Sequence, residues 1–337
     1  MFAPGLGVLS LTMLAASAVV FLLRSMLEER CRKPLSMYLA EDRISSLLTY
    51  QTLVPAIRQA LIDYSTGRVE QPLRSVLRVK DPSGNPSGWF AVMPVIAGEF
   101  MAVKTVTFFP ANKGLPTHLA TIELLDRATG EPLAVMDGRL ITEMRTAAVS
   151  AVAIEALAPD AKTLGILGSG VQARSNIEAL RLIHPAFREP GSIRLWSRNP
   201  HNAAALAKEL NATVVAVEEA ASADVVVTAT SATHPVLQGK WLSDKSLVVA
   251  VGAVGPQLRE LDDETMQGCL IAESRQGSEN ESGDVLLSGA KVYAEIGEIL
   301  AGSAPLPPPG RLVFKSLGMA IEDLTGASLV WQALKEV

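Results

Sequence analysis

The chain has 337 residues, 48% of them hydrophobic, with 30 Lys and Arg against 35 Asp and Glu for a formal charge of −5. A mildly acidic chain with dispersed basic residues is excluded as a polyanion binder, and a length beyond one ordinary core suits two domains. Two distant cysteines (Cys31, Cys269) and four scattered histidines (His118, His184, His201, His234) give neither a disulfide framework nor a metal-ligand set, which fits a reducing compartment.

In chain order, Leu6 to Leu23 comes first, 18 residues without a charge, at the lower limit for crossing a bilayer core of ~30 Å. No basic residue precedes it, whereas Arg24, Arg30, Arg32 and Lys33 follow, the reverse of a cleaved signal peptide. That charge placement would keep the bulk of the protein in the cytosol. A membrane anchor, a buried helix and a mis-assigned start all fit this stretch. Residues 1–35 are set aside as a hydrophobic extension, the expected location is cytoplasmic, and 6–23 is the one segment expected to touch a membrane if any does.

From Met37 to Tyr64 the spacing of Leu48, Val54, Ile57, Leu61 and Tyr64 predicts helix, with Asp42 and Ser45-Ser46 as caps and Gly67 as its end. Between Gln71 and Leu125 the period changes to two. The runs LRSVLRV, GWFAVMPVIA, FMAVKTVTFF and HLATIELL predict a half-buried antiparallel sheet, and Pro132 to Met136 adds a strand. Leu140 to Leu157, rich in alanine, predicts helix by intrinsic propensity.

The stretch Thr163 to Ala173 (TLGILGSGVQA) carries the most information. An apolar strand run of Leu164, Ile166 and Leu167 breaks at Gly168-Ser169-Gly170-Val171-Gln172-Ala173, and Ile177, Leu180 and Ile183 follow at helical spacing. This is the pattern of a dinucleotide-binding turn. Gly168 allows a sharp exit from the strand, Gly170 leaves room for a pyrophosphate, Ala173 lets helix and sheet approach, and the helix N-terminus offers free N–H groups to phosphate. The next predicted strand, Ser192 to Trp196, ends at Ser197-Arg198-Asn199. An NAD site would place a carboxylate there for the ribose hydroxyls, whereas hydroxyl and guanidinium donors suit a 2′-phosphate, so NADP(H) is the expected cofactor. Thr213–Val217, Asp224–Thr228 and Leu247–Val251 predict further parallel strands buried on both faces. Ligands of such sheets lie beyond the strand carboxyl ends, which singles out Thr228-Ala229-Thr230 and Gly252-Ala253-Val254. Pro305 to Pro309 reads as a rigid linker where the chain leaves that domain, before a helix-rich tail from Arg311 to Val337.

No nucleophile triad or P-loop is legible, so chemistry is expected from the cofactor with the protein supplying charge and orientation. Arg74, Lys104 and Arg145 are the cations that would hold a carboxylate and polarise a C=N or carbonyl group if they converge.

Nine ordered motifs extend this reading: Gln71–Arg74, Gly88–Pro94, Lys104–Phe108, Met136–Gly138, Arg145–Ser150, Gly168–Ala173, Arg259–Asp263, Glu281–Val285 and Lys315–Asp323. With them the chain, from about Met37 to its C-terminus, resembles the ornithine cyclodeaminase/mu-crystallin family, most closely its ketimine-reducing members. The resemblance implies an α/β fold in which a Rossmann NADP-binding domain (146–310) is inserted into a smaller α+β substrate-binding and dimerisation domain (37–145, completed by 311–337), in a homodimer. It implies NADPH-dependent reduction of cyclic ketimines, with Lys104, Arg74 and Arg145 as the catalytic set. It also implies cofactor contacts from Thr117, His118, Arg145, Thr146, Gly168, Ser169, Gly170, Val171, Gln172, Ser197, Arg198, Asn199, Asn202, Thr228, Ala229, Thr230, Val251 and Gly252. Substrate contacts would come from Arg74, Trp89, Val254, Glu281 and Leu317, with no metal. Cyclodeaminases carry an Asp at the position of Val254, so this chain's valine disfavours ornithine cyclisation. NADPH-regulated binding of thyroid hormone and amino-acid dehydrogenation stay open as alternatives.

Overall fold

The computed structural model describes residues 37–336. The extension 1–35, with its apolar segment 6–23, lies outside them. The elements in chain order are β1 (Met37–Leu39), α1 (Glu41–Ser45), α2 (Tyr50–Ser65), β2 (Ser75–Lys80), β3 (Pro86–Ala97), β4 (Phe100–Phe108), β5 (His118–Asp126), β6 (Pro132–Asp137), α3 (Gly138–Leu157), β7 (Leu164–Leu167) and α4 (Val171–Ile183). They continue as β8 (Ile193–Trp196), α5 (Pro200–Glu209), β9 (Thr213–Val214), α6 (Val217–Ala221), β10 (Val225–Thr228), β11 (Leu247–Ala250), β12 (Cys269–Ala272), α7 (Arg275–Glu281), α8 (Gly283–Ser288), β13 (Val292–Glu295), α9 (Ile296–Leu300), β14 (Leu312–Lys315) and α10 (Ala320–Glu336).

Alternation of side chains builds the first sheet, whose order is β1-β6-β5-β4-β3-β2 with β2 to β6 antiparallel. Ala91, Met93 and Val95 of β3, Ala102 and Val106 of β4, and Ile122 and Leu124 of β5 are all buried on one face. Helices α2, α3 and α10 pack with this layer and bring Leu53, Ile57, Ile141 and Leu324 into the same core. Each fully buried side chain of that size contributes ~1.5–3 kcal/mol, so the face fixes its register firmly.

The second sheet is parallel, in the order β13-β12-β14-β11-β10-β7-β8-β9. Short apolar strands such as Val225-Val226-Val227 and Leu247-Val248-Val249 are buried on both faces, as a parallel sheet with helical crossovers requires. Leu167 pairs with Thr228, Thr228 with Ala250, Ala250 with Lys315, and Lys315 with Ala272. Five strands therefore end level, and the segments that follow them share one edge.

Several sequence expectations need correction. Met37 to Tyr64 is not one helix: Met37–Leu39 is an edge strand, and α2 is capped by the Thr49 hydroxyl accepting from Thr52 N–H, not by Asp42 or Ser45-Ser46. Thr213–Val217 is a strand only over Thr213–Val214, both exposed because β9 has a neighbour on one side alone, and Val217 already begins α6. The proline run 305–309 is not the final exit from the parallel sheet, since Leu312–Lys315 returns to its centre between β12 and β11. Strands β12, β13 and β14 are not among the predicted ones: they lack both the glycine turn that marks β7 and the valine run that marks β10.

At the predicted phosphate turn, Gly168 has φ +129°, and a Cβ there would stand 2.3 Å from the carbonyl oxygen of Ala229. Gly170, by contrast, faces open space. Gly168→Ala is expected to lower the free energy of unfolding by about 2–3 kcal/mol, from backbone strain and a collision with main chain that cannot yield. Gly170→Ala should change it by less than ~1 kcal/mol, and urea midpoints of the two proteins make the comparison.

Candidate functional site

Lys104 lies on the buried face of β4 with 3% exposure, between Ala102 and Val106. An ammonium there needs a partner, and α10 supplies it: Lys104 Nζ is 2.5 Å from Asp323 Oδ2. The other oxygen of the same carboxylate, Oδ1, accepts from Arg145 Nε of α3 at 3.1 Å, and Arg145 Nη1 donates to Glu322 Oε2 at 2.9 Å. Asp323 thus joins β4, α3 and α10 through two cations.

Burial pushes the Lys104 ammonium down to about 8; Asp323 resists this, and the charges of Arg145 and Arg74 add to it. Burial also works against the Arg145 charge, but Asp323 and Glu322 outweigh it and hold that guanidinium above its ordinary value. Glu322 goes the other way. Desolvation, and then the neighbouring Glu273, raise its carboxyl well above the usual range. Glu273 is positioned by the level strand ends: it follows β12, and its oxygens accept from Ser316 Oγ at 2.7 Å, Leu317 N at 3.1 Å and Gly318 N at 2.7 Å, which follow β14.

Arg74 approaches from the loop before β2. Its Nε contacts Glu281 Oε2 at 3.0 Å, and its Nη2 donates to the carbonyls of Leu317 at 3.0 Å and Gly318 at 2.7 Å. Gly318 has φ +79°, and a Cβ on it would lie 2.4 Å from Arg145 Nη1. A pocket open to solvent is lined by Arg74, Glu281, Glu273, Leu317 and Gly318 with Tyr64.

The structure thus brings Arg74, Glu281 and Leu317 to one pocket, with Arg145 against its Gly318 wall and Lys104 sharing Asp323. Trp89 is not among the lining residues. It stands with Phe108 and His118, at ring separations of 5.7 and 6.1 Å, beside Thr117. Val254 is half-buried past Gly252-Ala253 and does not line the pocket either. Thr146 is buried on α3.

At the glycine turn, Ser169 Oγ is 2.8 Å from Ser197 Oγ, while the Asn199 side chain caps α5 by accepting from His201 N and Asn202 N. Arg198 is exposed and makes no hydrogen bond or ion pair among the described residues. Val171 is 50% exposed at the N-terminus of α4, with Gln172 next to it. Thr228, Ala229 and Thr230 leave β10, and Val251 and Gly252 leave β11, at the same edge. Among the described residues no cluster of His, Cys, Asp or Glu is arranged to hold a metal ion, and no helix is long and apolar enough to cross a membrane.

Sequence reasoning named the cations and missed Asp323 and Glu322, which hold Lys104 and Arg145, as well as Glu273 and Glu260, which gather backbone N–H groups and hydroxyls at the strand exits. A signal existed. Glu273 directly follows the apolar run Leu270-Ile271-Ala272, and Glu322-Asp323 interrupt an apolar helix between Ile321 and Leu324.

A model of the ornithine cyclodeaminase/mu-crystallin family matches residues 36–337. The ketimine reductase mu-crystallin of Mus musculus is 42% identical over 307 residues, covering 87% of this chain and 96% of that protein. Among solved structures, the Thermococcus litoralis Delta(1)-pyrroline-2-carboxylate reductase in complex with NADH and L-proline superposes with a TM-score of 0.81 at 33% identity, covering 89% of this chain and 98% of that one. An archaeal alanine dehydrogenase dimer with bound NAD gives a TM-score of 0.82 at 28% identity, covering 90% and 97%.

The shared carboxylate generates a prediction. Asp323→Asn leaves two buried cations without their common anion and is expected to cost ~3–5 kcal/mol in unfolding free energy at neutral pH. Chemical denaturation followed by circular dichroism measures it, and a loss below ~1 kcal/mol would show that the cluster does not hold the three elements together.

Proposed function

The chain belongs to the ornithine cyclodeaminase/mu-crystallin family, and from that premise we propose that it is an NADPH-dependent oxidoreductase that reduces the C=N bond of carboxylated cyclic ketimines. The observation that carries the reading is the group of Arg74, Arg145 and Lys104 around Gly318 and Asp323, with Arg74 lining the pocket and the other two buried behind its Gly318 wall. Two guanidinium groups and one ammonium suit an anion set beside a polarised nitrogen.

The residues fit a dinucleotide. Gly170 faces open space at a helix N-terminus, and Arg198, without a partner among the described residues, stands beside Ser197 as a 2′-phosphate would require. Gly168 to Gln172, with Ser197, Arg198, Asn199 and Asn202, would hold the phosphates. Thr228 to Thr230, Val251 and Gly252 would hold it at the strand exits, and Thr117, His118, Arg145 and Thr146 from the antiparallel layer. What NADPH supplies when bound is a hydride equivalent for the imine carbon.

The protein's own part is orientation and charge. Arg74 keeps one guanidinium nitrogen, Nη1, outside its bonds to Glu281, Leu317 and Gly318 and can donate from it to a substrate carboxylate. Lys104, an ammonium below pH about 8, favours electron density moving onto the ring nitrogen and can donate the proton that completes the amine. Holding the imine in line with its reductant accounts for several kcal/mol of the barrier. Val254 carries no carboxylate with which to manage a substrate amine, which speaks against cyclodeamination.

The family premise also supports a homodimer. Leu77, Phe90, Thr107 and Leu119 form one cross-strand row on the uncovered face of the antiparallel sheet, with Leu77 63% and Leu119 42% exposed. A second copy would cover that face.

Purified protein is expected to oxidise NADPH, followed at 340 nm, when given five- or six-membered cyclic imines bearing a carboxylate. Its kcat/KM should fall as pH rises through about 8, where Lys104 loses its charge. Arg74→Ala should lower kcat/KM by about 10²-fold through lost positioning; no turnover with any of these imines, or an unimpaired Arg74→Ala protein, would refute the assignment. Arg198→Ala should raise KM for NADPH by roughly tenfold and leave that for NADH nearly unchanged, since a charge-assisted bond to the 2′-phosphate is all that is removed.

A further inference from the structure

Glu260, in the segment between β11 and β12, is fully buried. Its Oε1 accepts from the N–H and the hydroxyl of Thr230, both at 2.7 Å. Its Oε2 accepts from the Thr228 hydroxyl at 3.0 Å, from Gly252 N at 2.9 Å and from Ala253 N at 3.0 Å. Five donors exceed the roughly four acceptor sites of a carboxylate, so none is left for a ligand. The donors come from two places only, the exit of β10 and the exit of β11.

Glu260 is in turn held. Its own N–H and that of Leu261 donate to Asp284 Oδ1 at 2.8 and 3.0 Å, and Asp284 Oδ2 lies 3.0 Å from Lys315 Nζ. Lys315, the last residue of β14, donates to the carbonyl of Ala253 at 3.0 Å. Ala253 is therefore gripped at its N–H by Glu260 and at its carbonyl by Lys315. The exits also touch: a Cβ on Gly252 would lie 2.2 Å from Thr230 N.

Burying these charges costs several kcal/mol per ion before compensation, and β10 and β11 are already paired in register without them. The network sits at the edge where open parallel sheets take their ligands. We propose that Glu260 is a positioning residue for the dinucleotide. It touches neither cofactor nor substrate, and it holds Thr228–Thr230 and Gly252–Ala253 in the one relative arrangement that receives the cofactor. The inference rests on the dinucleotide reading given above.

Thr228→Val tests it cleanly, because Thr228 is fully buried and its hydroxyl reaches only Glu260. The expected result is a dissociation constant for NADPH raised about fivefold in Thr228→Val and about 30-fold or more in Glu260→Gln, measured by nucleotide fluorescence titration of the full-length protein. KM for the imine should stay within about twofold, and Thr228→Val should add little in the Glu260→Gln background, because both act through one carboxylate. Variants that fold, by near-ultraviolet circular dichroism, and bind NADPH as the wild type does would overturn the inference; if Glu260→Gln does not fold, Thr228→Val decides alone. A wild-type protein that binds neither NADPH nor NADH would remove the dinucleotide reading and this inference together.

Discussion

Two cations buried on separate elements cannot both stay charged without an anion between them, and in this protein that anion is Asp323. Lys104 comes from a strand, Arg145 from the helix that leads out of the antiparallel sheet, and Asp323 from the last helix of the chain. The carboxylate sets how these three elements meet, because a displacement that separated it from either cation would strand a charge in apolar surroundings. The same constraint sets the ionisation of Lys104. Lys104 titrates near 8 because burial and two arginines oppose its charge while one carboxylate supports it, and that balance keeps an ammonium close to exchanging its proton at neutral pH.

The second organising fact is geometric. Five parallel strands end level, so the turns that follow them are neighbours although they lie far apart in sequence. Gly168, Thr230, Gly252, Glu273 and Gly318 are all such post-strand residues. This is why Glu273, after β12, can accept from the backbone after β14, and why Glu260 can tie the ends of β10 and β11. Positions that bind or orient in this fold are products of strand register, and the register is secured by strands buried on both faces.

What could be read in the sequence follows the same division. The glycine turn, the antiparallel strands and the three cations announce themselves locally, through a special backbone need at Gly168, alternation in β3 to β5, and charge inside the apolar run around Lys104. The carboxylates do so less, because Glu260, Glu273, Glu322 and Asp323 depend on partners 30 or more residues away, such as Thr230 for Glu260 and Arg145 for Asp323, even where a nearer group such as Gly252 also donates. The short strands β12 to β14 are illegible for a related reason: each carries a single β-branched residue and no glycine turn follows it as one follows β7, so their place in the sheet is decided by neighbours. Trp89 takes its surroundings from strand pairing in the same way, standing in an aromatic group with Phe108 and His118.

The place of β14 has a consequence for how the molecule is made. Residues 312–315 enter the middle of the parallel sheet, between strands whose chains were completed much earlier. Until they arrive, β11 and β12 have no common neighbour, Ser316 to Gly318 cannot meet Glu273, and Lys104 and Arg145 have no Asp323. Both layers therefore depend on pairings between segments far apart in sequence, residues 312–315 with β11 and Asp323 with Lys104 and Arg145, which is the arrangement of high contact order that slows folding.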